Sequence, residues 1–150
     1  MTVLLVRHAV AVARRDWEGD DSDRPLSARG HRQADALVDL LAPFAIDVIF
    51  TSRATRCAGT VAPLASSRGI EPQVAPALFE GQQAAGLALA DVAEHVVLCS
   101  HGDVLPALLG ALAGHLDGVP DDPPYAKGAT WLVEREGGRV TAARYLAPPA

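Results

Sequence analysis

The chain has 150 residues, of which 49% are hydrophobic and 21% charged, a composition typical of a globular protein and unlike that of a disordered one. Its 13 basic and 18 acidic side chains give a formal net charge of −5, which argues against a nucleic-acid polymer or an anionic membrane as a partner. Because a chain of this length can bury the core of one domain, we expect a single domain over residues 1–150.

Three short apolar runs, rich in β-branched residues, predict strands that are buried on both faces of a sheet. They lie at residues 2–6, 46–50 and 95–99, and a helical pattern follows each of them. The order strand, helix, strand, helix is typical of the α/β class. We therefore expect a three-layer sandwich with a central, mostly parallel sheet and helices on both faces.

Apolar spacing predicts the first two helices. Ser27 is expected to cap the first, whose apolar side chains recur with the i, i+3, i+4, i+7 spacing of one helix face. The second is expected to begin at Ser52. Because the ring of Pro63 would meet the carbonyl oxygen of Gly59, we expect this helix to kink or end early there. Its predicted inner stripe consists of Ala54, Cys57, Ala58, Val61, Ala62 and Ala65.

The C-terminal third of the chain predicts a helix, a loop and a strand pair. Residues 103–114 are apolar on nearly every side, which favours a helix in the interior. Residues 117–128 are rich in proline, glycine and aspartate, and they predict a loop that is a candidate lid. The extended runs at 128–135 and 139–146 flank a Glu-Gly-Gly stretch and predict a hairpin.

Polar side chains follow the three apolar strands where each strand ends. Because ligands of parallel sheets bind beyond the carboxyl ends of the strands, we expect these side chains to converge. Guanidinium groups match phosphate oxygens and helix N-termini add backbone donors, so the pattern favours phosphoryl chemistry. The side chains are Arg7 and His8 after the first strand, Ser52, Arg53 and Arg56 after the second, and Ser100, His101 and Gly102 after the third. The histidines without this placement, which are not expected to be catalytic, are His31, His95 and His115.

In these segments the chain resembles the histidine phosphatase superfamily, which includes phosphoglycerate mutases and small phosphohistidine phosphatases. The family's signature Arg-His-Gly after the first strand is similar to VRHA at residues 6–9, where Ala9 occupies the glycine position. The alanine keeps the backbone carbonyl group that fixes the tautomer of the signature histidine in this family. The exchange matters only if the turn requires a positive φ.

Further segments carry the same resemblance. The family's Ser-Pro-x-x-Arg, Pro-Leu-Ser-x-x-Gly and second-histidine segments are similar to SRATRCAGT at 52–60, DRPLSARGHRQADAL at 23–37 and CSHGDVLPALL at 99–109. The phosphatase domain that is attached to Nudix hydrolase domains also shows a Lys-Gly-Ser-Thr-Trp stretch, which KGATWLV at 127–133 resembles.

The resemblance implies a phosphohydrolase that works through a phosphohistidine intermediate and needs no metal and no other cofactor. His8 would be the nucleophile, while Arg7, Arg56 and His101 would hold the phosphoryl oxygens. Glu80 in ALFEG matches the family's general acid. By position in the sequence, the candidate substrate-binding residues are Ser52, Arg53, Gly102, Arg24 and Lys127, with Trp17 and Tyr125 as further loop candidates.

Several alternatives stay open at this stage. A phosphate-binding regulatory module without catalysis and a phosphoglycerate mutase-like phosphotransferase both fit the motifs. The partner is expected to be a phosphorylated small molecule, such as a nucleotide or a sugar phosphate, or a phosphoprotein, and the sequence does not fix the oligomeric state. An acidic cluster lacks the calcium-loop pattern and is expected to be a solvated loop rather than a metal site; it consists of Asp16, Glu18, Asp20, Asp21 and Asp23.

The remaining sequence features concern the cellular compartment. The longest nearly apolar stretch, residues 104–114, is too short to span a bilayer, and no basic and then apolar leader precedes the first strand. Cys57 and Cys99 lack metal-ligand spacing and are expected to be reduced, buried thiols. These features predict a cytoplasmic protein without a membrane partner.

Overall fold

Six strands form one sheet in the computed structural model, which describes residues 1–149. Their order across the sheet is β3-β2-β4-β1-β5-β6. The first four strands run parallel to one another, β5 pairs antiparallel with β1, and β6 pairs antiparallel with β5 at the edge of the sheet. The strands are β1 (Thr2–Arg7), β2 (Val48–Thr51), β3 (Gln73–Val74), β4 (His95–Ser100), β5 (Thr130–Glu136) and β6 (Arg139–Leu146).

Three α-helices cover the two faces of this sheet: α1 (Ala28–Leu40), α2 (Thr55–Arg68) and α3 (Val104–Ala113). Alternate residues of β1 enter different cores, since Leu4 and Val6 pack with α1 and α2 while Val3 and Leu5 pack with α3. The expected three-layer α/β fold is therefore confirmed. No helix within the described range of the chain is long and apolar enough to cross a membrane.

The second helix corrects two expectations. It begins at Thr55 rather than Ser52, and it continues through Pro63 to Arg68, so the predicted early end is wrong. Proline removes only one backbone hydrogen bond, and the burial of side chains such as Leu64 against the sheet offsets that loss. In the predicted inner stripe, Cys57, Val61, Ala54 and Ala65 are buried, whereas Ala58 and Ala62 are exposed.

The C-terminal elements lie close to their predicted positions. Helix α3 is buried on one side only, since Gly110 and Ala111 are exposed on the other. The prediction that this helix lies in the interior of the protein is therefore wrong. Strands β5 and β6 form the predicted hairpin, which turns through Gly137 (φ 57°) and Gly138 (φ 78°), two positive values that favour glycine. The short edge strand β3 was not predicted, since two residues carry no periodic signal.

Candidate active site

The carboxyl ends of β1 and β4 and the start of α2 surround a cavity of about 780 Å³. Most of the expected site residues line it, whereas Ser52 and Arg53 do not. The expected residues in the lining are Arg7, His8, Arg24, Arg56, Glu80, His101, Gly102 and Lys127. The lining also contains Val10, Ala11, Ala13, Arg14 and Asp103.

The His8 imidazole is held in one orientation at the base of this cavity. Its Nδ1 lies 2.8 Å from the carbonyl oxygen of Ala9, a contact in which the ring N–H donates. Burial is the largest cause that lowers the pKa of His8 from 6.5 to about 3; the neighbouring charges of Arg56, His101 and Arg7 act in the same direction, and the Ala9 contact opposes them. The ring is therefore neutral at physiological pH, and the lone pair of Nε2 is the one that can attack an electrophile.

Alanine fits the turn that follows His8. Within residues 1–149 the only non-glycine residue with a positive φ is Gln83, so Ala9 adopts a backbone conformation open to any residue. The Ala9 N–H donates to Oγ1 of Thr60 at 2.8 Å, and that hydroxyl donates to the Arg56 carbonyl oxygen at 2.7 Å. The two hydrogen bonds connect the loop that carries the His8 acceptor to the helix that carries Arg56.

The start of α1 supports the same loop. The backbone N–H and the side-chain hydroxyl of Ser27 both donate to the carbonyl oxygen of Val10 at 3.0 Å, while the Ser27 hydroxyl accepts from the Gly30 N–H as the predicted cap. The N–H of Val10 donates to Oε1 of Gln33 at 2.9 Å. A Cβ at Gly30 would lie 1.9 Å from the Val10 oxygen, so this close approach requires glycine.

Two arginines face the cavity, the buried Arg56 and the half-buried Arg7. Arg56 is 1% exposed, and its Nη1 donates to the Asp21 carbonyl oxygen at 2.9 Å. Arg7 donates to the Tyr125 carbonyl oxygen, and burial lowers the pKa of its guanidinium. A Cβ on Gly102 would lie 2.7 Å from Cζ of Arg7, so glycine at that position makes room for the guanidinium plane. The Nε atoms of both arginines are buried without a hydrogen-bond partner within the described chain.

The second imidazole, His101, lies beside the first. The two ring centroids are 5.5 Å apart and the planes are inclined at 63°. Nε2 of His101 is 2.8 Å from Oγ of Ser52, and its Nδ1 is 3.4 Å from a Glu80 carboxylate oxygen. Ser52 therefore lies behind the ring and orients it, and Nδ1 is the nitrogen directed towards Glu80 and Arg56.

Glu80 brings a carboxylate to this group. Its Oε1 accepts a hydrogen bond from Nη2 of Arg56, and the following N–H, that of Gly81, donates to Oδ2 of Asp103 at 2.7 Å. The segment that carries Glu80 is thereby tied to the start of α3. A phosphate oxygen that binds Arg56 would compete with the Glu80 carboxylate for Nη2.

Besides Ser52, three candidate substrate-binding residues lie outside the cavity lining. Arg53 is exposed, and its guanidinium carbon stacks 3.8 Å from the centroid of the Phe79 ring. Tyr125 is buried, and its hydroxyl donates to the Leu5 carbonyl oxygen at 2.6 Å. The Trp17 indole N–H donates to the Asp20 carbonyl oxygen at 3.0 Å. No tryptophan, tyrosine or phenylalanine is among the lining residues described.

Asp21 is a contact residue that the sequence did not indicate. Its carboxylate lies 3.0 Å from Nε of Arg24, 3.4 Å from Nη2 of Arg56 and 3.7 Å from Nε of Arg14. The sequence places this aspartate in an acidic cluster that reads as a solvated loop, and only the fold brings it to three arginines. No three His, Cys, Asp or Glu residues within positions 1–149 gather closely enough to hold a metal ion.

The two cysteines are free and buried, as expected. Cys57 lies behind the second imidazole, with its Sγ 3.6 Å from Nε2 of His101. The Cys99 thiol donates to the Cys57 carbonyl oxygen at 3.5 Å.

The sequence and the fold both match known phosphatases. Residues 3–94 match the family model of the histidine phosphatase superfamily (branch 1). The 8-oxo-(d)GTP phosphatase of Mycolicibacterium smegmatis is 34% identical over 156 aligned residues, which cover 99% of this chain and 48% of that protein. The chain thus spans about half the length of this curated relative.

Solved structures show the same fold. The protein histidine phosphatase SixA in complex with tungstate superposes with a TM-score of 0.80 at 21% identity, covering 99% of this chain and 97% of that one. The putative phosphohistidine phosphatase SixA from Agrobacterium tumefaciens gives a TM-score of 0.78 at 25% identity, with coverages of 98% and 97%.

Proposed function

The chain belongs to the histidine phosphatase superfamily, and on this premise we propose that it hydrolyses phosphate esters through a phosphohistidine intermediate at His8. The observation that carries the proposal is the neutral His8 ring, fixed by its Nδ1 contact to Ala9 in a cavity that also holds Arg7, Arg56 and His101. A neutral ring with one nitrogen engaged presents the other as a nucleophile.

In the first step, Nε2 of His8 attacks the phosphorus atom in line with the leaving oxygen. A bond forms between nitrogen and phosphorus while the bond from phosphorus to the ester oxygen breaks. The guanidinium groups of Arg7 and Arg56 offset the charge on the equatorial oxygens, and Nδ1 of His101 supplies a further donor. These groups are held by the Tyr125 carbonyl, the Asp21 carbonyl and Ser52, so little rearrangement is needed.

Glu80 is our proposed proton donor and acceptor. A bound phosphoryl oxygen displaces its carboxylate from Arg56, the released carboxylate takes up a proton from water, and the resulting carboxyl group donates that proton to the departing oxygen. In the second step the carboxylate takes a proton from water as that water attacks the phosphohistidine. Inorganic phosphate leaves, and His8 returns to its neutral form.

A phosphorylated small molecule is our proposed substrate. The His8 side chain is recessed, at 6% exposure, in a cavity whose 780 Å³ is within the range of small-molecule sites. The curated relative from M. smegmatis acts on a nucleotide, which supports nucleotides as the first substrates to assay. A phosphoprotein is the alternative substrate, and a phosphohistidine protein belongs in the same assay panel.

Replacement of the nucleophile tests the mechanism. We expect His8→Ala to lower phosphate release by a factor of about 10³ or more on every substrate, because both ring nitrogens of His101, the other imidazole in the lining, already contact Ser52 and Glu80. His115→Ala is the matched control, since His115 is exposed and lies outside the cavity lining. The phosphoryl group of a radiolabelled substrate should also become attached to the wild-type protein in an acid-labile, alkali-stable form, and this label should be absent from His8→Ala.

The same assays separate the alternatives. Retained turnover in His8→Ala would rule out the covalent mechanism. Phosphate binding without any turnover in the wild type would indicate a regulatory module, and formation of a phosphorylated isomer instead of inorganic phosphate would indicate a mutase.

A further inference from the structure

Five cationic side chains line the cavity against two carboxylates, those of Glu80 and Asp103. Arg7 and Arg56 serve the atoms next to His8, yet three more cationic side chains line the same cavity. We call Arg14, Arg24 and Lys127 the outer cations. The two arginines come from the loop between β1 and α1, and Lys127 comes from the segment before β5.

Asp21 shows how close the outer arginines are to the reaction centre. One of its carboxylate oxygens contacts Nε of Arg24 at 3.0 Å and lies 3.7 Å from Nε of Arg14, while the other is 3.4 Å from Nη2 of Arg56. A single carboxylate thus spans the gap between Arg56 and the outer arginines. A second anionic group, joined to the phosphoryl group that Arg56 binds, would reach Arg14 without a long spacer.

The positive charge of Lys127, by contrast, is not compensated by a carboxylate in the described part of the chain. None of the ion pairs within residues 1–149 involves its ammonium group. Burial lowers the pKa of Lys127, and the charges of Arg7, Arg24, Arg14 and Arg56 lower it further. The side chain therefore experiences a positive field, and an anion placed there would be stabilised.

The residues that line the cavity also indicate that a nucleobase is not recognised by stacking. The described members of the lining include no tryptophan, tyrosine or phenylalanine on which a base could stack, and the apolar members are the small side chains Val10, Ala11 and Ala13. Recognition in this cavity is therefore dominated by charge. Guanidinium and ammonium groups are the side chains that bind phosphate.

We propose that the outer cations bind a second phosphoryl group, so that the substrate is a diphosphate, either a diphosphate ester or inorganic pyrophosphate. The proposal rests on the function proposed above, because the same His8 attacks the terminal phosphorus. The bond between that phosphorus and the bridging oxygen breaks, and the bridging oxygen takes the electron pair and a proton from Glu80. A monophosphate leaves first, and water then releases the terminal phosphate from His8.

The test compares variants on substrates that differ in the second phosphoryl group. We choose adenosine diphosphate, adenosine monophosphate and pyrophosphate, and express each variant as a ratio of its kcat/KM to that of the wild type. This ratio removes the different intrinsic reactivities of the leaving groups. For Arg14→Ala and Lys127→Ala we expect the loss on the two diphosphates to exceed the loss on the monophosphate by about tenfold.

Arg15→Ala is the matched control, because Arg15 is the exposed neighbour of Arg14 and does not line the cavity. It should leave all three ratios close to one. Lys127→Arg should restore most of the activity on the diphosphates, since it keeps the positive charge. Arg14 and Lys127 are both exposed, so their variants are expected to fold.

The results distinguish a failure of the second phosphoryl site from a failure of the proposed function. Equal losses on the three substrates, or no loss on the diphosphates, would overturn the second phosphoryl site while the activity at His8 stands. Absence of turnover on every substrate, including p-nitrophenyl phosphate, or retained turnover in His8→Ala, would instead overturn the proposed function itself.

Discussion

His8 is a buried base whose protonation competes with folding. Its pKa is about 3 in the folded protein, against an ordinary value of 6.5, because burial and the charges of Arg56, His101 and Arg7 disfavour the cation. Between these two pH values the unfolded chain binds a proton at His8 that the folded chain does not bind. The contribution of His8 therefore makes the folded state less stable as pH falls from 6.5 towards 3.

This linkage predicts a difference between the wild type and His8→Gln. Between about pH 7 and about pH 5, the wild type should lose about 2 kcal/mol more of its unfolding free energy than the variant, because the glutamine side chain does not bind a proton in this pH range. Urea unfolding at the two pH values measures the difference. His115→Gln, at an exposed histidine, serves as the control. Parallel pH dependences of the wild type and His8→Gln would contradict a neutral His8 in the folded state.

At the scale of elements, the turn after β1 and the start of α1 form one unit. The Val10 carbonyl oxygen accepts from Ser27, and Gly30 passes so close to it that an added Cβ would lie 1.9 Å away. The preceding residue, Ala9, supplies the acceptor for the His8 ring. A displacement of α1 at Gly30 would therefore move the loop that orients His8.

Gly30→Ala tests whether the packing of α1 against the Val10 carbonyl group controls the orientation of His8. We expect it to lower the unfolding free energy by about 1–3 kcal/mol, as overpacking does, and to lower kcat as well. Gly110→Ala is the matched control within α3, because a Cβ there would meet no atom within 4 Å. That control should stabilise the protein by up to about 1 kcal/mol through helix propensity. Thermal or urea unfolding and a phosphatase assay measure both effects, and equal stabilities of the two variants would count against the close approach.

On the scale of the whole molecule, charge is distributed unevenly. The chain has a formal net charge of −5, yet five cationic side chains line one cavity in which Glu80 and Asp103 are the carboxylates of the lining. A cavity with an excess of positive charge concentrates anions locally even when the rest of the surface repels them. In the proposed mechanism, the positive charge for phosphoryl transfer comes from the protein's own guanidinium groups.

This distribution predicts a metal-independent reaction. Turnover should be unchanged in excess chelator, because the proposed mechanism gives Arg7 and Arg56 the role that a divalent cation has in other phosphoryl transfers. Phosphate release with and without ethylenediaminetetraacetate measures this, and a titration with magnesium chloride is the control. A loss of activity in chelator that a divalent cation restores would contradict the prediction.

Local patterns were sufficient to predict most elements but not their ends. The β-branched runs predicted three strands of the sheet, Ser27 predicted the start of α1, and the Glu-Gly-Gly stretch predicted the hairpin turn. Each of these signals depends on residues that are close in the sequence. The course of α2 through Pro63 depends instead on burial against the sheet, which local propensity does not contain.

The sequence by itself indicated that side chains at the ends of β1 and β4 share one ligand site, because the chain order predicts a parallel sheet whose strand ends meet. Only the tertiary structure decided which polar groups face the cavity. It places Ser52 behind His101, stacks Arg53 on Phe79 and brings Asp21 to three arginines. These contacts join segments that are distant in the chain, and their side-chain directions follow from packing, which periodicity along the sequence does not encode.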